Sequence, residues 1–217
     1  MKIAVVDYGL GNLGSVLKAF RHVGVPAELT GDPAALRRAD ALVLPGDAAF
    51  GAAIGEIRAR GLEAPILQAA AEGRWIFGIC IGMQLLFEES DEHGRHRGLG
   101  LLAGRVRRLA AGLPVPHMGW NRLRWPGPHP LLSGIEPGSH VYFVHSYFCD
   151  AAPDTTVATT DYGRDFAAIA GRDNVLGVQF HPEKSQDVGL RLIANFVQIV
   201  AGGARPQLSA ANAGRSA

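Results

Sequence analysis

The sequence predicts an α/β fold: a mixed, mostly parallel sheet flanked by helices, with an antiparallel β extension. Three observations carry this. The first ninety or so residues alternate short apolar runs with stretches of helical period, the pattern of a parallel sheet covered on both faces. From Leu101 to Val178 the texture changes to short β runs separated by Pro and Gly. The chain has 217 residues, 47% of them hydrophobic, enough for one well-cored domain.

Lys2 to Tyr8 is an apolar run of strand length. In Asn12 to Val23 the residues Leu13, Val16, Leu17, Phe20 and Val23 fall at helical spacing. Asp32-Pro33 marks a helix start, with Asp as cap and Pro in the first turn. Ala41 to Leu44 reads as a buried strand stopped by Pro45-Gly46. Ala48 to Arg60 and Leu62 to Glu72 read as helices, Trp75 to Ile79 as a strand, and Ile81 to Glu88 as a helix directly after it. The β runs then follow: Gly104–Leu109, Asn121–Trp125, His140–Phe148, Thr155–Thr160, Phe166–Ala170 and Val175–Phe180, expected as antiparallel strands attached to the same sheet system. Asp187 to Val200 closes with a helix whose Leu192, Ile193, Phe196, Val197 and Val200 form one apolar stripe. Residues 1–201 are expected to form a single domain. Residues 202–217, rich in Ala, Gly, Ser and Asn, are expected to be a disordered tail.

Charge excludes little but is informative. With 21 basic and 20 acidic residues, the net charge of +1 argues against a nucleic-acid surface as the main function. MKIAVVDYGLGNLG reads as a first strand, not a signal peptide, and no run approaches a membrane span. A cytoplasmic protein with no membrane partner is the expectation. The two cysteines, Cys80 and Cys149, could form one disulfide, but a core of this size needs no staple. His93 and His96 stand in a charged loop, and His117, His140 and His145 are scattered among β runs. No metal-ligand spacing is present, so no metal or other cofactor is expected.

The sharpest local signal is Gly78-Ile79-Cys80-Ile81-Gly82. It has the G-x-nucleophile-x-G form of a nucleophile elbow, between a strand and a helix. A side chain at either glycine would crowd the turn. The helix after it aims its N-terminal N–H groups at the sulfur. Taken alone, Cys80 is as well explained as a small buried residue. Val178-Gln179-Phe180-His181-Pro182-Glu183 supplies the missing base at the end of another strand. His181 can take the thiol proton, and Glu183 can orient the imidazole and stabilise its cation. An isolated H-x-E is more often a solvated loop. Elbow and H-P-E together, each at a strand's C-terminal end, are the better sign of a site. Gly9-Leu10-Gly11-Asn12-Leu13-Gly14 matches a dinucleotide fingerprint, with Glu28 further on. The match is short, and a tight turn into the first helix explains those glycines as well.

These segments resemble the class I, triad-type glutamine amidotransferases. More narrowly, they are similar to the family of glutaminase subunits of imidazole glycerol phosphate synthase. The matching stretches are Asp7–Val16, Leu44–Phe50, Gly78–Ser90, Gly98–Leu109, Pro116–Asn121, Tyr142–Tyr147 and Gly177–Gln186. DYG-x-GN, PHMGWN and YFVHSY are the stretches that point to this subunit.

The resemblance implies a glutaminase with the triad Cys80, His181 and Glu183, passing through a glutamyl thioester on Cys80. It implies oxyanion donors on the backbone of Ile81 and of the Gly46–Asp47 loop. Gln84, with Ser146 and Tyr147, would bind glutamine. Asn12, Trp120, Tyr142 and Lys184 would face the partner. That partner is a cyclase subunit, an eight-stranded barrel, forming a heterodimer. It would use the ammonia to make imidazole glycerol phosphate and aminoimidazole carboxamide ribonucleotide in histidine biosynthesis. One departure is Pro45-Gly46-Asp47-Ala48 where the family has Pro-Gly-x-Gly. Ala48 resists the φ > 0 that a second glycine would allow. Three alternatives stay open: the glutaminase of another ammonia-dependent synthase, a catalytically silent binding subunit of this fold, and a thiol peptidase.

Overall fold

The computed structural model describes residues 1–110 and 112–202. Its elements run in chain order as β1 (Ile3–Val6), α1 (Leu13–His22), β2 (Glu28–Thr30), α2 (Pro33–Arg38), β3 (Ala41–Leu44), α3 (Phe50–Ala59), α4 (Glu63–Ala71), β4 (Trp75–Ile79) and α5 (Ile81–Leu85). After them come β5 (Phe87–Ser90), β6 (His96–Arg97), β7 (Leu102–Arg108), β8 (His117–Arg122), β9 (His140–His145), β10 (Tyr147–Ala151), β11 (Thr156–Asp161), β12 (Asp165–Arg172), β13 (Val175–Val178) and α6 (Gln186–Gly202).

The main sheet has seven strands in the order β11-β12-β13-β4-β3-β1-β2. From β13 to β2 every pairing is parallel, and β12 and β11 add antiparallel strands at one edge. Alternate residues of each central strand serve opposite faces. Ile3, Val5, Val43, Phe77 and Ile79 pack under α1 and α6 with Phe20, Leu192 and Phe196. Ala4, Val6, Leu42, Leu44 and Ile76 pack under α2, α3 and α4 with Leu36, Ile54, Ile57 and Ile66. Phe77 and Phe196 stack with ring centroids 4.6 Å apart. Burying each such large side chain contributes roughly 1.5–3 kcal/mol. Asp32 caps α2 as its sequence suggests, accepting from the backbone of Ala34 and Ala35.

Three expectations are corrected. The helix expected over 81–88 stops at Leu85, and Phe87 already pairs with Leu102 of β7. Met83-Gln84-Leu85-Leu86-Phe87 suits either period, and the neighbouring strand decides it. The β run 140–148 breaks at Ser146 into β9 and β10, which belong to different sheets. Nor do all the later strands join the main sheet. Only β11, β12 and β13 do so, β13 running parallel to β4, while β10-β7-β5-β6 form a four-stranded sheet and β8-β9 a two-stranded one. Local alternation cannot tell which sheet a strand will join.

Helix α6 reaches Gly202, and the rest of the expected tail, 203–217, lies outside the described residues. Among the described residues, no helix is long and apolar enough to cross a membrane.

Candidate active site

Strands β4 and β13 are parallel neighbours with Gly78 opposite Gly177 and Ile79 opposite Val178. Their C-terminal ends therefore deliver Cys80 and the Gln179–Glu183 segment to one place. Cys80 sits at the turn between β4 and α5 with φ 54° and ψ −111°. Its N–H is tied to Val178 O at 2.8 Å, which holds the turn against β13. The elbow glycines are needed for space. A Cβ at Gly78 would lie 2.5 Å from Gly82 O, and one at Gly82 would run into the Leu44 carbonyl. The Cys80 Sγ approaches Val144 O and accepts from Gln179 Nε2, each at 3.8 Å.

His181 Nδ1 and Glu183 Oε1 are 2.8 Å apart, and both side chains are almost wholly buried. Ser185 Oγ donates to His181 O, and His181 N–H donates to Tyr142 O at 2.9 Å, fixing the ring's backbone. His181 Nε2 and Glu183 Oε2 are buried without a hydrogen-bond partner. Burial alone disfavours the charged imidazole. Coupling to the negative charge of Cys80, and to Glu183 by both hydrogen bond and charge, outweighs it and raises the His181 pKa to about 10. No Cys80–His181 bond meets hydrogen-bond geometry here, so that coupling is electrostatic in the resting site.

Cys80 and His181 open on one cavity of about 280 Å³. Asp47, Ala48 and Ala49 form one wall, Ile81 and Gln84 another, and Val144, His145, Ser146 and Tyr147 a third. The expected substrate residues Gln84, Ser146 and Tyr147 thus line it together. Gln84 is 3% exposed, and its Nε2 donates to Tyr147 O at 3.0 Å and to Gln179 Oε1 at 3.1 Å. Its own Oε1 is buried and unpartnered, an acceptor left open for a donor. Asp47 and Ala48 line the cavity, and Gly46 is buried against Ile81. None of Gly46, Asp47 and Ala48 has positive φ, so Ala48 meets no backbone demand it cannot satisfy.

Glu92 was not anticipated. It stands in the β5–β6 connection among charged residues and reads in sequence as solvated. Its Oε2 accepts from Phe50 N–H, the first amide of α3, at 2.6 Å, and it lines the cavity. Only the S-D-E run just after a strand could have hinted at a capping carboxylate. His145 lines the cavity too. Its Nδ1 lies 2.8 Å from Tyr147 O, so Nδ1 carries the proton and Nε2 accepts from His117 Nδ1 at 2.9 Å. Asn121 Nδ2 completes the chain at His117 Nε2, 3.3 Å away. Burial pushes the pKa of His117 down to about 4 and that of His145 down to about 3. Both imidazoles are neutral.

Trp120 lies on β8, which begins at His117, ahead of the β run expected from Asn121. It is 48% exposed, and its ring meets Tyr142 edge to face at 5.8 Å. Lys184 is exposed in the turn that carries Glu183. Asn12 is exposed at the start of α1, beyond the C-terminal end of β1. Trp120 and Tyr142 touch, Lys184 directly follows Glu183, and Asn12 makes no hydrogen bond to any of them.

The model of the family described as glutamine amidotransferase class-I matches residues 4–200. Imidazole glycerol phosphate synthase subunit HisH of Symbiobacterium thermophilum is 50% identical over 200 residues, which cover 92% of this chain and 94% of that protein. The subunit HisH of Salinibacter ruber is 51% identical over 203 residues, 90% of this chain and 93% of that one. Among solved structures, one described as a glutamine amidotransferase superposes with TM-score 0.74 at 21% identity, covering 93% of this chain and 100% of its own. PurLQS from Thermotoga maritima does so with TM-score 0.71 at 21% identity, covering 93% and 98%. At that identity these two speak for the fold alone. The chain belongs to the class I glutamine amidotransferases and, within them, to the family of imidazole glycerol phosphate synthase subunit HisH.

Proposed function

We propose that residues 1–201 act as one glutaminase domain, which hydrolyses L-glutamine to glutamate and ammonia. The observation that carries this reading is the convergence of Cys80, a His181 raised to about 10 and Gln84 on one cavity.

At neutral pH the proton resides on His181, leaving Cys80 as nucleophile. Sγ attacks the side-chain amide carbon of glutamine, and the carbonyl oxygen becomes an oxyanion. The backbone N–H groups of Ile81 and of the Gly46–Asp47 loop are its donors. The C–N bond breaks as His181 protonates the leaving nitrogen, giving ammonia and a thioester on Cys80. Water then attacks that thioester while neutral His181 takes its proton. The C–S bond breaks, glutamate leaves, and the starting pair is restored. Glu183 holds the ring by Nδ1 throughout. Gln84 Oε1 accepts from the substrate, and Glu92 is the carboxylate placed for its α-ammonium.

The relatives' name makes this chain one subunit of a larger synthase. Its partner is the barrel-shaped cyclase subunit, which consumes the ammonia in histidine biosynthesis in the cytoplasm. Asn12, Trp120, Tyr142 and Lys184 face that partner. Trp120 meets Tyr142 edge to face, and the Tyr142 carbonyl holds His181, so partner contact reaches the triad in two steps.

The test is ammonia release from free glutamine, with an electrophilic glutamine analogue mapped by mass spectrometry. The adduct is expected on Cys80, and Cys80→Ala should be inactive while keeping its fold. An adduct on Cys149, an active Cys80→Ala protein or cleavage of peptides instead would refute the proposal.

A further inference from the structure

The Gly-rich turn after β1 has no part in the reaction above, yet it lies directly under the oxyanion loop. Tyr8 is fully buried, and its hydroxyl donates to the carbonyl of Pro45. Gly11, at φ +106°, has no Cβ because one would lie 3.2 Å from Gly46 Cα. A Cβ on Gly46 itself would overlap both the Ile81 side chain and the Tyr8 hydroxyl. Tyr8, Gly11 and Ile81 therefore enclose Gly46 on three sides.

We propose that Tyr8 is a positioning residue for the Pro45–Ala48 loop, anchoring the Pro45 carbonyl so that the Asp47 N–H is presented to the oxyanion. This rests on the glutaminase reading. In a planar trans peptide the carbonyl and N–H point in opposite directions. Pinning Pro45 O thus fixes the Gly46 N–H as well. Only φ and ψ of Gly46 then remain to orient the next N–H. Burial, with the negative charges of Cys80 and Asp47, raises the Tyr8 pKa above the ordinary tyrosine range. The hydroxyl is a donor at every pH where the enzyme works.

Tyr8→Phe in the full chain removes the bond and keeps the ring. It should lower kcat for glutamine about tenfold or more with KM little changed, less than the roughly hundredfold or greater cost of deleting an oxyanion donor. L-Glutamate γ-semialdehyde supplies a second readout. Cys80 Sγ adds to its aldehyde carbon, and the oxygen of the resulting thiohemiacetal occupies the oxyanion position. Its affinity by calorimetry should weaken by a similar factor. Alkylation of Cys80 by iodoacetamide needs no oxyanion donor and should keep its rate, measured well below melting with a native circular dichroism spectrum. An unchanged or higher kcat, or unchanged aldehyde affinity, overturns the proposal. So does a fall in alkylation rate that matches the fall in kcat. Wild-type protein that neither releases ammonia nor binds the aldehyde would instead refute the glutaminase reading.

Discussion

Cys80 is held where few non-glycine residues rest. A positive φ with ψ near −111° costs of order 1–3 kcal/mol, and the surrounding strand pairing maintains it. Its Sγ faces the cavity because the elbow leaves it no other direction. Glu92 is a carboxylate that lines the cavity, as Asp47 also does, and its partner is open to test. A hydrogen bond to a charged group contributes roughly 1.5–3 kcal/mol, so Glu92→Gln should raise KM for glutamine about tenfold or more. The new amide keeps an acceptor for Phe50 N–H, so α3 should start as before. Steady-state kinetics with glutamine and with an analogue lacking the α-amino group would check this. The variant should lose its defect on the analogue, and an equal defect on both would remove Glu92 from substrate binding. The meeting of Cys80 with His181 and Glu183 at one cavity was legible because Cys80 and His181-Pro182-Glu183 each stand within a short local pattern at a strand end. Glu92 was not, since a lone carboxylate in a charged loop carries no local sign of the cavity it will face.

At the scale of elements, the β8–β9 hairpin is joined to the site by the neutral chain from Asn121 through His117 and His145 to Tyr147 O. Its pH dependence has a definite sign. Unfolded imidazoles titrate at 6.5, whereas these two titrate at about 4 and about 3 because burial opposes their charge. Their contribution to stability is complete above about pH 6.5 and is lost as pH falls toward those values. In that window each adds about 1.4 kcal/mol per pH unit to the slope. His181 has the opposite sign, with its contribution complete below 6.5 and lost as pH rises through about 10. Urea unfolding between pH 6.5 and 4.5 should therefore show stability falling with acid, with more than one proton taken up on unfolding. A flat profile would mean the pair is already protonated or not buried. In sequence His117 and His145 were only scattered histidines, 28 residues apart. Strand pairing that sets His117 opposite His145 makes them a unit.

For the whole molecule, the proposed partner contact at Trp120 can be tested by its effect on association. Trp120 is a large exposed ring on a two-stranded sheet whose other strand carries Tyr142. If it is a hot spot, Trp120→Ala should weaken association with the cyclase subunit by about 2 kcal/mol or more, near thirtyfold in Kd, read by titration calorimetry. Unchanged affinity would take Trp120 out of the interface. By itself, the sequence determined the alternating α/β start, the cap at Asp32, the elbow at Cys80 and the H-P-E base. Each is a local matter of period, turn sterics or side-chain chemistry. Only the tertiary structure decided that the helix after Cys80 ends at Leu85 and that the run 140–148 splits between two sheets. It alone brought Glu92 to the cavity and Tyr8 beneath the Pro45–Ala48 loop. Those outcomes depend on partners 15 or more residues away in the chain, which short-range pattern does not record.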